Sequence, residues 1–199
     1  MYTLPKPLIA RGELLEKGIH IFTPIEFERT FNLAKYQTKY FLEEQSRKGL
    51  LKRLKKGLYA LQTDLPNETE IANRLYQPSY ISFEYALARY NILPEMVYEI
   101  TSATTKPTRI FTINNKVFSY LTIKKETYTG YLLERLDVGR STLIAEAEKA
   151  LIDYLYFVSL GKKPFNDRLK ITSVNKTKLY KYASLYNRKK INQLIEKLL

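Results

Sequence analysis

Apolar side chains recur every three or four residues in the first third of the chain, alternate with polar ones through the middle, and return to helical spacing near the end. Residues 7–17 (PLIARGELLEK) bring Leu8, Leu14 and Leu15 to one face and predict a short helix that Gly18 ends. Thr23-Pro24, with Glu26 at the third helical position, starts a second helix from 24 to about 31. Asn32 can then cap a third that runs to about Lys48 and stops at Gly49. Residues 50–61 (LLKRLKKGLYAL) place Lys56-Gly57 between two β-type runs and predict a hairpin. Three helices followed by a basic hairpin is the order of a winged helix-turn-helix, expected over 1–62.

The composition turns polar at 62–67 (QTDLPN), where a linker is expected, and a second domain should fill 67–199. It opens with a short helix at 67–76 and another that begins at Ser82. From Tyr98 to about Ile144 the runs YEITSAT, RIFTIN, KVFSYLTI and TGYLLERL read as strands, with Asn114-Asn115 and Asp137-Val138-Gly139 as turns. A mostly antiparallel sheet follows, packed by a helix over 145–160 and by two basic amphipathic helices after Asn175. The expected fold class is α+β.

Composition narrows the function. Without cysteine there is no disulfide framework or thiolate chemistry, and His20, the single histidine, sits in an apolar run where a structural role is expected. Glu146, Glu148 and Asp153 lie on one helix but lack further acidic ligands, so capping and ion pairing are expected of them rather than metal binding. None of the seven glycines forms a phosphate-cradling loop. We expect neither catalysis nor a cofactor. No apolar run approaches the ~18 residues of a membrane span, and a cytoplasmic protein is expected.

The charge of +13 is unevenly spread. Residues 1–65 carry 12 basic and 7 acidic side chains, residues 66–160 carry 10 and 11, and residues 161–199 carry 11 and 2. Two basic ends around a neutral middle suggest a polyanionic partner, nucleic acid first, with an anionic membrane surface or an acidic protein behind it and a solubilising surface as the bland alternative. On the third helix, Lys35, Thr38, Lys39, Leu42 and Ser46 are expected to face outward, and Leu33, Tyr36, Tyr40 and Phe41 inward. Lys35, Thr38 and Lys39 would then reach the major groove, with Arg47 and Lys48 at the end of the helix and Lys52, Arg53, Lys55 and Lys56 along the wing. Near the carboxyl end Tyr180, Tyr182 and Tyr186 alternate with lysines, and either stack on bases or dock on the sheet.

Three segments, PSYISFEYALARYNIL (78–93), ITSATTKPTRIF (100–111) and IAEAEKALIDYL (144–155), resemble in order the AbiEi family of antitoxins from bacterial type IV toxin–antitoxin systems. Residues 49–61 are similar to the wing of that family. Its helix motif reads Pro-Glu-Lys-Ala-Leu; here Ala147 stands in place of the proline. The resemblance implies an N-terminal winged helix that binds operator DNA and represses its own operon. It also implies a C-terminal domain that counters a nucleotidyltransferase toxin without a stable complex, for which Lys106, Arg109, Lys176, Lys178 and Lys181 are the expected surface. Two alternatives stand beside it. One is an RNA- or phosphate-acting protein using Lys106, Arg109, Lys124 and Lys125, and the other a transcription factor with a ligand-sensing domain.

Overall fold

A computed structural model of the protein describes residues 4–136 and 140–199. The expected turn at Asp137-Val138-Gly139 lies outside the described residues. The fold is mixed α and β, and the chain forms two compact units, Met1–Leu75 and Tyr76–Leu199.

The first unit contains α1 (Pro7–Glu16), β1 (Ile21–Phe22), α2 (Pro24–Phe31), α3 (Lys35–Arg47), the hairpin strands β2 (Leu51–Lys55) and β3 (Leu58–Leu61), and α4 (Glu68–Leu75). Its sheet runs β1-β3-β2, antiparallel throughout. The two-residue strand β1 was not anticipated; its backbone pairs with Tyr59 and Ala60. Phe22, Phe27 and Phe41 stack in sequence at centroid distances of 5.5 and 5.1 Å, and Leu14, Leu42, Leu51 and Leu61 close around them. Thr23 caps α2 as its sequence predicts: its hydroxyl accepts from the Glu26 N–H while the Glu26 carboxylate accepts from the Thr23 N–H. Asn32 does not start α3. With φ of 49° it ends α2, donating its N–H to Glu28, and α3 begins only at Lys35. Asparagine tolerates that left-handed conformation, which made either role legible from its type alone.

The stretch expected as a linker is tied down. Arg11 of α1 grips Asp64 through two bonds of 2.8 Å, and Asn67 caps α4 by accepting the Glu70 N–H at 3.0 Å. Beyond it, Arg74 bonds both Glu26 carboxylate oxygens at 2.8 Å. Burial pushes the Glu26 carboxyl up, but the bonds from Arg74 and Thr23 outweigh that and hold it below its ordinary value. Helix α4, expected to open the second domain, therefore belongs to the first unit.

The second unit holds β4 (Ser79–Ile81), α5 (Phe83–Arg89), β5 (Ile100–Thr104), β6 (Arg109–Ile113), β7 (Lys116–Thr122), β8 (Tyr131–Arg135), β9 (Ser141–Ala145), α6 (Ala147–Ser159), α7 (Lys176–Leu185) and α8 (Lys189–Leu198). Its strands lie in the order β6-β7-β5-β4-β9-β8. The hairpins β6–β7 and β8–β9 occupy opposite flanks, and the second strand of each runs parallel to a central strand, β7 beside β5 and β9 beside β4. The sheet is accordingly mixed, with the β4–β5 pair antiparallel at its centre. Strand β4 was missed by the sequence reading because three residues are too few to show alternation. Helix α6 is buried on almost every side and packs against α5, α7 and α8. Phe83, next to β4, has a φ of 55°, an unfavourable conformation for an aromatic residue, compensated by full burial edge-on against Phe157 at 5.4 Å.

Two glycines separate backbone strain from crowding. Gly57 in the β2–β3 turn and Gly130 before β8 have φ of 76° and 74°; a Cβ at Gly57 would meet nothing within 4 Å, whereas at Gly130 it would lie 2.7 Å from the Tyr182 ring. Gly57→Ala should cost about 1–2 kcal/mol from the backbone alone. Gly130→Ala should cost about 1–3 kcal/mol more for overpacking. Equal losses in thermal denaturation would show that Tyr182 does not rest on Gly130.

Candidate nucleic-acid interface

Helix α3 supplies the cationic face that the sequence singles out, but rotated. Thr38, Phe41, Leu42 and Gln45 are buried, at three- and four-residue spacing. At 100° per residue the direction opposite them is occupied by Tyr36, Tyr40, Glu43 and Arg47. All four are exposed, Tyr36 at 74% and Tyr40 at 57%, and Lys35 and Lys39 are exposed along one flank. Thr38, expected to contact DNA, is instead fully buried, as is Leu42, while Tyr36 and Tyr40, expected in the core, are outside. A tyrosine ring packs in either setting, and only the neighbouring core decides which. Lys48 is exposed but bonded to Glu44 at 2.6 Å. That bond holds the Glu44 carboxyl below its ordinary value, with Tyr40 adding a weaker one.

On the hairpin, Arg53 and Lys56 are exposed and Lys52 is half-buried. Lys55, expected on the wing, points elsewhere: its Nζ donates to the carbonyl of Leu75, the last residue of α4. A cation at a helix carboxyl terminus is favoured by the helix dipole, so Lys55 helps to hold α4 in place. Of the cations expected to meet DNA, Lys35, Lys39, Arg47, Arg53 and Lys56 are exposed, as is the Glu44-bonded Lys48. His20 is half-buried at the approach to β1.

In the second unit, Lys106 and Arg109 are exposed at the start of β6, above an aromatic group formed by Tyr76, Phe111 and Tyr120. The Lys106 ammonium is 5.5 Å and the Arg109 guanidinium 5.9 Å from the Tyr76 centroid. Thr104, Thr108 and Thr122 brace the intervening loop through their hydroxyls. Lys124, Lys125, Lys176 and Lys181 are exposed, whereas Lys178 bonds Glu146 at 3.1 Å. Tyr182 donates to the other Glu146 oxygen at 2.7 Å. Of the tail tyrosines, Tyr186 is buried, Tyr182 is half-buried on Glu146 and Tyr180 is exposed, so docking on the domain accounts for two of three.

Sequence reasoning did not single out the buried ionic cluster of this unit. The Asp153 carboxylate, fully buried on α6, accepts from Tyr80 at 2.9 Å, Ser82 at 2.7 Å, Tyr186 and the Lys149 ammonium one turn back. Lys149 also donates to the Tyr80 hydroxyl at 2.9 Å. Burial lowers the pKa of Lys149, opposed by Asp153, and burial together with the Asp153 charge raises Tyr80 and Tyr186 well above their ordinary value. The signal available beforehand was a lysine and an aspartate four apart on a helix otherwise almost wholly apolar. Glu146, Glu148 and Asp153, weighed together on one helix, go to separate partners; Glu148 accepts the Asn175 N–H at 2.9 Å.

No family model matches the chain, and no curated protein matches it. Among the described residues, no helix is long and apolar enough to cross a membrane.

Three substitutions test this geometry. The buried Thr38 hydroxyl has no hydrogen-bond partner among the described residues, so Thr38→Val should raise stability by about 1 kcal/mol. A lower denaturant midpoint would mean that the hydroxyl is bonded after all. Asp153→Asn should cost about 3–5 kcal/mol, because it leaves the Lys149 charge buried without a counter-charge. Adding Lys149→Met should recover much of that loss, since the amide still serves three hydroxyls; a double variant no more stable than the single would show that Lys149 is not charged in the fold.

Proposed function

We propose that the chain is a DNA-binding antitoxin of the AbiEi type, whose first unit is a winged helix-turn-helix that represses its own operon. In this reading α2 and α3 form the helix-turn-helix, α3 enters the major groove and the β2–β3 hairpin is the wing. One observation carries it: an exposed α3 face that holds Arg47 and is flanked by Lys35 and Lys39, followed directly by a hairpin that presents Arg53 and Lys56. These are cations at the positions where the motif meets phosphate, and they would supply affinity rather than sequence discrimination.

The second unit counters a nucleotidyltransferase toxin without a stable complex. What supports this half is the resemblance of segments 78–93, 100–111 and 144–155. Tyr80, Ser82, Lys149 and Asp153, which meet in the buried cluster, come from the first and last of these. The shared motif thus speaks for a common core, and neutralisation is carried by the surface, where Lys106, Arg109, Lys176 and Lys181 are exposed. A second reading, single-stranded RNA binding, is favoured by the Tyr76 and Phe111 rings beneath Lys106 and Arg109.

Titration of the full chain with duplex DNA from upstream of its own gene tests the first half. If the five exposed cations each neutralise one phosphate, log K falls against log salt with a slope of roughly −4 to −5. A slope near zero overturns the DNA reading, and stronger competition by single-stranded RNA than by duplex favours the second.

A further inference from the structure

We propose that Glu43 determines which base sequence α3 accepts, by taking a hydrogen bond from the exocyclic amino group of a cytosine in the major groove; this rests on the DNA-binding reading above. The centre of the exposed α3 face, directly opposite buried Thr38, Phe41, Leu42 and Gln45, is not purely cationic. It consists of Tyr36, Tyr40, Glu43 and Arg47, with Lys35 and Lys39 along its flank. A face that served only to neutralise phosphate would not carry an acid and two tyrosines at its centre. Here the flank meets the backbone and the centre is left to the base edges.

The acid in that line is the discriminating element. Its neighbour Glu44 is occupied by Lys48 and Tyr40. Glu43 makes no ion pair among the described residues, although Lys39 and Arg47 stand one turn to either side. A free carboxylate brought against DNA is repelled by phosphate and by the guanine O6 and thymine O4 acceptors. It is compensated where a base offers an amino donor, and cytosine N4 is the donor that an acidic side chain pairs with best. Glu43 therefore acts as a filter against the wrong sequence as much as a contact to the right one. Tyr36 and Tyr40 offer ring faces beside it to thymine methyl groups, which places T next to the selected C.

The experiment is selection from a randomised duplex pool with the full-length protein and with E43Q, followed by titration of the chosen and scrambled duplexes over a range of salt. The parent should fix a cytosine in its site and discriminate against other bases there by about 5- to 150-fold, the range of one good base contact. E43Q should lose that preference, or move it to adenine, and should bind scrambled duplex more tightly than the parent because a charge repelled by phosphate is gone. An unchanged selected sequence in E43Q overturns the role of Glu43 while leaving the DNA reading in place. If neither protein binds any duplex in a salt-dependent way, the DNA reading itself fails and the inference with it. Thermal denaturation of E43Q, a change at an exposed position, verifies that its fold is the parent's.

Discussion

The second unit is organised around one carboxylate. Asp153 is fully buried and receives four donors, from Tyr80 and Ser82 at the end of β4, from Lys149 on its own helix and from Tyr186 at the end of α7. Each group would be costly to bury alone, because water is excluded and nothing else there can solvate a charge or a hydroxyl. Together they satisfy one another. Such a cluster adds little net stability over a well-packed apolar equivalent, but a misaligned one is strongly penalised. It therefore constrains register: a helix shifted by one residue or a strand turned over would strand the Lys149 charge.

Much of the unit follows from that constraint. Strand β4 is only three residues long, yet it lies between β5 and β9 at the centre of the sheet. Its place is set by Tyr80 and Ser82 reaching α6 on one side and by the β5 and β9 ladders on the other. Ser82, which occupies the N-cap position of α5, does not cap it, because its hydroxyl is committed to Asp153. The left-handed Phe83 beside it belongs to the same turn. Through Tyr186 the cluster also holds the basic α7 against α6, so the orientation of Lys176 and Lys181 toward solvent depends on a group buried beneath them.

In the first unit the corresponding constraint is aromatic. Phe22, Phe27 and Phe41 come from β1, α2 and α3, and their stacking fixes how α3 is rotated about its axis. That rotation decides which side chains face solvent, because Thr38 and Tyr36, two residues apart, point about 160° from each other. Polar ties close the unit behind this core: Arg11 to Asp64, Arg74 to Glu26 and Lys55 to the end of α4.

Local patterns in the sequence sufficed for the existence and order of most elements. Thr23-Pro24 with Glu26 announced α2, Lys56-Gly57 announced the hairpin, and the apolar stripes of α6 and α8 were plain, because caps, turns and periodicity are properties of adjacent residues. The basic α3 and the two exposed hairpin cations were legible in the same way. What tertiary structure alone decided was phase, partner and boundary. The outward face of α3 turned on which side met the phenylalanine core. Lys55 and Lys178 were drawn to a carbonyl and a carboxylate distant in sequence, and α4 joined the first unit through Arg74 and Glu26. The Asp153 cluster gathers side chains from distant parts of the chain, Tyr80 and Asp153 alone lying 73 positions apart. No local pattern encodes such a meeting, because its energy exists only once the chain has excluded water from the place where the residues meet.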